Sequence, residues 1–161
     1  MMYLLLAGQQ NSGKTTLVGR IALELNRQGF EIMDDFRDTT DNDFYGLPID
    51  VHDFYVVLKN GEKYILCYSW ADYETSIDWL KNYLKSIKQK NIHLNLVVMA
   101  SRIPPDSLYT KTIEKIGLTD QNTTVVPLAK ITAKTDRQTS LNFYLQAIFN
   151  LVRNNILPQL I

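Results

Sequence analysis

The stretch "YLLLAGQQNSGKTTLVGRIAL" constrains this chain more than any other. Tyr3 to Ala7 is an apolar run of strand length, as a strand buried on both faces should be. Val18, Ile21, Ala22 and Leu25 then recur at helical spacing, and Gly29 is a suitable helix stop. Between them lies Gly8-Gln9-Gln10-Asn11-Ser12-Gly13-Lys14-Thr15: a glycine, four residues, then Gly-Lys-Thr. Gly8 and Gly13 permit backbone angles that a side chain would block. Successive N–H groups can then line a concave anion site, and the helix adds its positive end.

That pattern is the phosphate loop, or Walker A motif. Gly8, Gln10, Asn11, Ser12, Gly13, Lys14, Thr15 and Thr16 are therefore the expected nucleotide-binding residues. Lys14 would reach the β- and γ-phosphates, the Thr15 hydroxyl would sit on Mg²⁺, and Thr16 would lie near the α-phosphate. The expected ligands are Mg²⁺ and ATP, with GTP as the other candidate.

The 161 residues suit a single domain, 1–161. Lys plus Arg equals Asp plus Glu, 17 each, so no global basic field points to nucleic acid. Cys67 is the lone cysteine, which rules out an internal disulfide and fits a reducing compartment. No segment reaches the roughly 18 apolar residues of a membrane span. The apolar start is too short for a signal peptide, so the expected location is cytoplasmic.

Beyond the first helix, Phe30 to Met33 reads as a short strand, and Asp34 to Asp50 as a long acidic loop. Two β-rich runs flank Asn60-Gly61, a hairpin signal. A two-residue turn there would set Lys59 against Glu62 and Val57 against Tyr64. Thr75-x-x-Asp78 and Thr135-x-x-Gln138 resemble capping boxes, and Pro104-Pro105-Asp106 introduces a helix with Pro in its first turn. Ile77, Leu80, Leu84 and Ile87 form one helical face. Leu141, Tyr144, Leu145, Ile148, Phe149 and Val152 form another. Tyr64 to Trp70, Leu94 to Ala100 and Thr123 to Leu128 are further strands. The alternation implies an α/β three-layer sandwich, mostly parallel, with an antiparallel hairpin strand. Ligands in such sheets bind at the carboxyl ends of the strands.

The element order resembles the Ras-like small GTPases, while only the phosphate loop matches by motif. Where that family carries Asp-x-x-Gly, this chain has Asp72 followed by Glu74 and Thr75. Where the family reads guanine with Asn-Lys-x-Asp, this chain has Ser101, Arg102 and Asp106. A short stretch near Ala133 is similar to a family base-side loop. The loop also resembles that of small P-loop kinases and ATPases, which implies a P-loop NTPase fold. In such kinases an acidic residue at a strand end holds Mg²⁺ or orients the acceptor, a role Asp34 or Asp35 would take. Arg37, Arg102 and Arg137 are the basic residues available, and Arg102 can stack on a purine.

Asp72 has two readings: the Mg²⁺-linked carboxylate after an apolar strand, making it catalytic with Lys14 and Asp35, or a helix cap. Asp38, Asp41 and Asp43 could join a metal cluster or be solvated, and Thr39 or Thr40 could approach Mg²⁺. His52 and His93 lack ligand spacing. Trp70, Trp79, Tyr68, Tyr73 and Tyr83 point to core packing or to the surface for an unidentified protein partner. The expected function is Mg-dependent binding and hydrolysis or transfer of a nucleoside triphosphate. The alternatives are a degenerate Ras-like GTPase and a nucleotide-dependent binding module.

Overall fold

A computed structural model of the chain describes residues 1–37, 53–70, 72–132 and 135–161. The strands are β1 (Met2–Gly8), β2 (Glu31–Arg37), β3 (Phe54–Asn60), β4 (Lys63–Tyr68), β5 (Leu94–Ser101) and β6 (Thr123–Leu128). The helices are α1 (Lys14–Arg27), α2 (Glu74–Gln89), α3 (Ser107–Ile116), α4 (Arg137–Leu151) and the short α5 (Leu157–Leu160). A π-helical turn, Val152–Ile156, joins α4 to α5.

The strands form one sheet in the order β2-β3-β4-β5-β1-β6. β4 pairs parallel with β5, and β1 parallel with both β5 and β6. β3 is antiparallel to both of its neighbours. Side chains alternate across a strand, and the two faces feed two cores. Leu4, Leu6, Leu96, Val98 and Ala100 meet Leu17, Val18 and Ile21 of α1 and Phe149 of α4. Tyr3, Leu5, Val97 and Met99 share the opposite core with Leu80 and Ile87 of α2, against which Ile113 of α3 packs. The result is the expected α/β class, a mixed sheet with helices on both faces.

Several local expectations are corrected. The strand after α1 does not stop at Met33. It runs to Arg37, because Asp34 and Asp35 keep pairing with Val57 and Val56 past a bulge at Met33. β2 is the sheet edge, where charged side chains are tolerated and discourage further pairing.

The hairpin turn is Gly61-Glu62 rather than Asn60-Gly61. Asn60 pairs with Lys63 and Lys59 with Tyr64, with Gly61 at φ 58 in the first turn position. Both proposed capping boxes are absent. α2 starts after Tyr73 without a side-chain cap, and Glu74 and Asp78 reach across to Lys111 and Lys115 of α3 instead. α4 starts after Asp136, itself at φ 53, whose carboxylate accepts from Thr139 Oγ1 rather than from the backbone. Both prolines precede α3, whose cap is Asp106: its Oδ1 accepts from the Leu108 N–H at 2.9 Å.

The strand beside β1 is β5, not the hairpin strand β4. β1 leads into α1 on one face, whereas β5 leads into α3 on the other. Chain exits diverge there, which is where such sheets open a crevice at their carboxyl edge.

Candidate functional site

The glycine loop closes the carboxyl end of β1 onto the start of α1. Asn11 (φ 62) and Gly13 (φ 84) both turn through the left-handed region, which Gly13 adopts without the cost of a Cβ. Neither motif glycine has room for a side chain. A Cβ on Gly8 would collide with the Ser12 hydroxyl, and one on Gly13 would stand 2.5 Å from Leu145 of α4. No side-chain hydrogen bond caps the start of α1, which leaves its first-turn N–H groups without a side-chain acceptor.

Lys14 folds back over this loop. Its Nζ donates to Gly8 O at 3.2 Å and to Gln9 O at 2.8 Å, and the residue is 6% exposed. Burial lowers the ammonium pKa and the Asp72 charge opposes it; Arg102 lowers it further, while Asp53 and Asp106 raise it. Five ionisable groups thus share one field at the loop.

Thr15 Oγ1 donates to Asp53 Oδ1 at 3.2 Å, and Ser69 Oγ donates to the same oxygen at 3.3 Å. Ser69 in turn accepts from the Phe54 N–H at 2.8 Å. Asp53 therefore stands where a carboxylate beside the Thr15 hydroxyl was expected from Asp72. β3 runs against its neighbours, so its amino end, not its carboxyl end, arrives beside the loop. Searching only strand carboxyl ends overlooks it. The available signal was an acid directly before an apolar run, "DFYVVL".

Asp72 instead stands 2.8 Å from Arg102 Nη2. Arg102 follows Ser101, which is in register with Ala7 of β1. Among the described residues, four buried side-chain atoms lack a hydrogen-bond partner, and all belong to this edge: Ser12 Oγ, Ser101 Oγ, Asp72 Oδ1 and Arg102 Nε. An unmet buried polar atom costs about 1–3 kcal/mol, so a cluster of them calls for an explanation. Between the loop and the segment after β5 lies a crevice of about 360 Å³, lined by Gln9, Gln10, Arg102, Pro105, Asp106 and Lys130. Arg137 ties its far wall to the loop, donating to Ile131 O at 3.0 Å and Asn11 O at 3.4 Å.

The structure thus gathers Gly8, Gln10, Asn11, Ser12, Gly13, Lys14, Thr15, Thr16 and Arg102 at one edge, with Asp72 against Arg102. It does not bring Asp35 there. β2 lies four strands from β1, about 19 Å away at about 4.8 Å per strand. Asp34 accepts from Tyr83 Oη on α2, another use than metal binding. Arg37 closes β2 on that same far edge. Asp38, Thr39, Thr40, Asp41, Asp43, His52 and Ala133 lie outside the described residues.

The aromatic residues form a packed stack rather than a base platform. Trp79 lies over Tyr83 at 4.7 Å and Tyr68 at 5.7 Å, with Trp70 edge-on. Tyr73 stays outside it, 69% exposed. Burial raises the pKa of the Cys67 thiol, as a core side chain requires.

Among the described residues no group of three or more His, Cys, Asp or Glu could hold a metal ion, and no helix is long and apolar enough to cross a membrane. No protein-family model, curated protein or solved structure matches the chain.

Proposed function

We propose that this chain is a P-loop NTPase domain that binds a Mg²⁺–nucleoside triphosphate and cleaves it or transfers its terminal phosphoryl group. Lys14 is the observation that carries this reading: a buried ammonium held over the glycine loop, among the described residues, by carbonyls of that loop. A buried charge is costly unless paired, and phosphate oxygens offer a stronger acceptor than neutral carbonyls.

The loop N–H groups and the start of α1 would hold the β-phosphate, and Lys14 would neutralise β- and γ-oxygens. Thr15, oriented by Asp53, would present its hydroxyl to the metal. Mg²⁺ keeps several waters and needs few protein ligands, so the lack of a multi-carboxylate cluster among the described residues fits it. Mg²⁺ held at the Thr15 hydroxyl would supply charge neutralisation to the phosphates.

No Asn-Lys-x-Asp is present to reward guanine, so ATP should bind at least as well as GTP. The buried thiol of Cys67 suits a reducing, cytoplasmic setting.

One observation favours slow turnover, as in a nucleotide-dependent binding module. The three carboxylates whose fields reach Lys14 are all engaged: Asp53 with Thr15, Asp72 with Arg102, Asp106 with Leu108.

Titration calorimetry with Mg-ATP tests the reading. Lys14→Ala should weaken binding by at least about tenfold, since a charged hydrogen bond contributes about 1.5–3 kcal/mol. Unchanged affinity would sink it. Steady phosphate release from Mg-ATP, present or absent, then separates the enzyme from the binding module.

A further inference from the structure

The Asp72–Arg102 pair is an incomplete ion pair. Arg102 Nη2 stands 2.8 Å from Asp72 Oδ1, yet Asp72 Oδ1 and Arg102 Nε are both buried with no hydrogen bond. The approach satisfies charge and misses hydrogen-bond geometry. A guanidinium holds a carboxylate best through two parallel N–H donors, and here that fork is not used. The Arg102 side chain is 15% exposed and its Nε is buried, so water does little to replace the missing acceptor.

The neighbouring donors repeat the pattern. Ser101 Oγ and Ser12 Oγ are 1% and 0% exposed and have no partner. Ser101 is in register with Ala7 of β1 and precedes Arg102, while Ser12 belongs to the glycine loop. Arg102 and Lys14 are like charges close enough to depress the Lys14 pKa, and Asp72 is the strongest charge opposing that. Two cations and two hydroxyls at the carboxyl edge of β1 and β5 suit an oxyanion, and the anion must outbid a carboxylate. A terminal phosphate brings three strong acceptor oxygens and up to two charges.

We propose that Arg102 contacts the terminal phosphate of the bound nucleotide, and that Asp72 is a built-in competitor holding the guanidinium until a triphosphate displaces it. The proposal rests on the nucleotide reading above and adds discrimination between triphosphate and diphosphate. Asp72 lies two residues before α2, whose Glu74 and Asp78 bind Lys111 and Lys115 of α3. Loss of its partner would thus be felt at the entry to the α2–α3 layer.

The test measures affinities of the whole chain for Mg²⁺ with a non-hydrolysable ATP analogue and for Mg-ADP, by calorimetry. Arg102→Ala should weaken the triphosphate by at least about tenfold and ADP by less than about twofold, as loss of one charge-assisted contact at the terminal phosphate would. Asp72→Asn should tighten the triphosphate alone, by about threefold or more, and the double variant should match Arg102→Ala. Equal losses for both nucleotides in Arg102→Ala would overturn the inference. So would an Asp72→Asn that weakens the triphosphate, or tightens both nucleotides alike. If circular dichroism shows Arg102→Ala unfolded, Asp72→Asn decides alone: selective tightening supports the inference, and any other result overturns it. A wild type that binds neither nucleotide overturns the nucleotide reading and this inference with it. A wild type that binds both, unaffected by Arg102→Ala, overturns the inference only.

Discussion

Asp53 and Asp72 show how one carboxylate role divides between two residues. Asp53 meets Thr15 and Ser69, and Asp72 meets Arg102. In the proposed function the metal-side role would therefore fall to Asp53. Asp53→Asn should keep the fold and lower Mg-dependent turnover by at least about tenfold, about 1.4 kcal/mol of barrier. Phosphate release over a Mg²⁺ titration checks it; normal Mg²⁺ dependence would return the role to Asp72. At Gly13, a φ of 84 and the Leu145 side chain oppose any Cβ. Gly13→Ala should cost about 1–3 kcal/mol of stability, from left-handed strain with overpacking. Chemical denaturation showing less than about 0.5 kcal/mol would mean α4 yields easily at this contact.

At the scale of elements, the α2–α3 layer is tied by charge. Hydrogen bonds from Lys111 and Lys115 hold the Glu74 carboxyl down to about 2 from its ordinary 4.5. A carboxyl depressed by folding contributes stability above its unfolded pKa and loses it as pH falls through the folded one. The Glu74 contribution should thus be complete above about pH 4.5 and vanish toward about pH 2. Glu74 is well exposed, so the effect is small and screened by salt. Wild type and Glu74→Gln should differ in melting temperature at pH 6 and converge at the acid end. Parallel curves across that range would remove Glu74 from the account. The caps tell a related story. Sequence spacing suggested side-chain caps for α2 and α4, yet neither has one, whereas α3 is capped through Asp106. A Ser/Thr-x-x-acid pattern states a local preference, which partners on another helix readily outbid.

Across the whole molecule, the sheet is most enclosed at β1 and β5 and least at β2. Leu4, Leu5, Leu6, Leu96, Val97 and Val98 are all fully buried, whereas Met33, Asp34 and Asp35 of β2 are exposed. Native-state hydrogen exchange should be slowest in β1 and β5 and faster in β2. Equal protection in β2 would show that its edge is covered. A ligand held by the loop and by both walls of the crevice should stabilise the entire fold. At a hundred times its dissociation constant, Mg-ATP should add about 2.7 kcal/mol. A thermal melt that does not move under that saturation would contradict the proposed site.

The strand–loop–helix unit was legible without coordinates, because adjacent residues make it: an apolar run, two glycines at fixed separation, and a 3.6-residue periodicity. The same holds for the α/β class, since elements of one kind alternating with the other leave few ways to bury both. Sheet order is a different matter. Placement of β5 between β1 and β4 depends on how six strands compete for neighbours, and local patterns do not record that competition. Everything downstream of that order was decided by the tertiary structure. β2 went to the far edge and carried Asp35 away from the loop. The antiparallel β3 delivered Asp53 to Thr15, 38 residues distant along the chain. Asp72 and Arg102, on segments that follow β4 and β5, became partners because those two strands lie side by side.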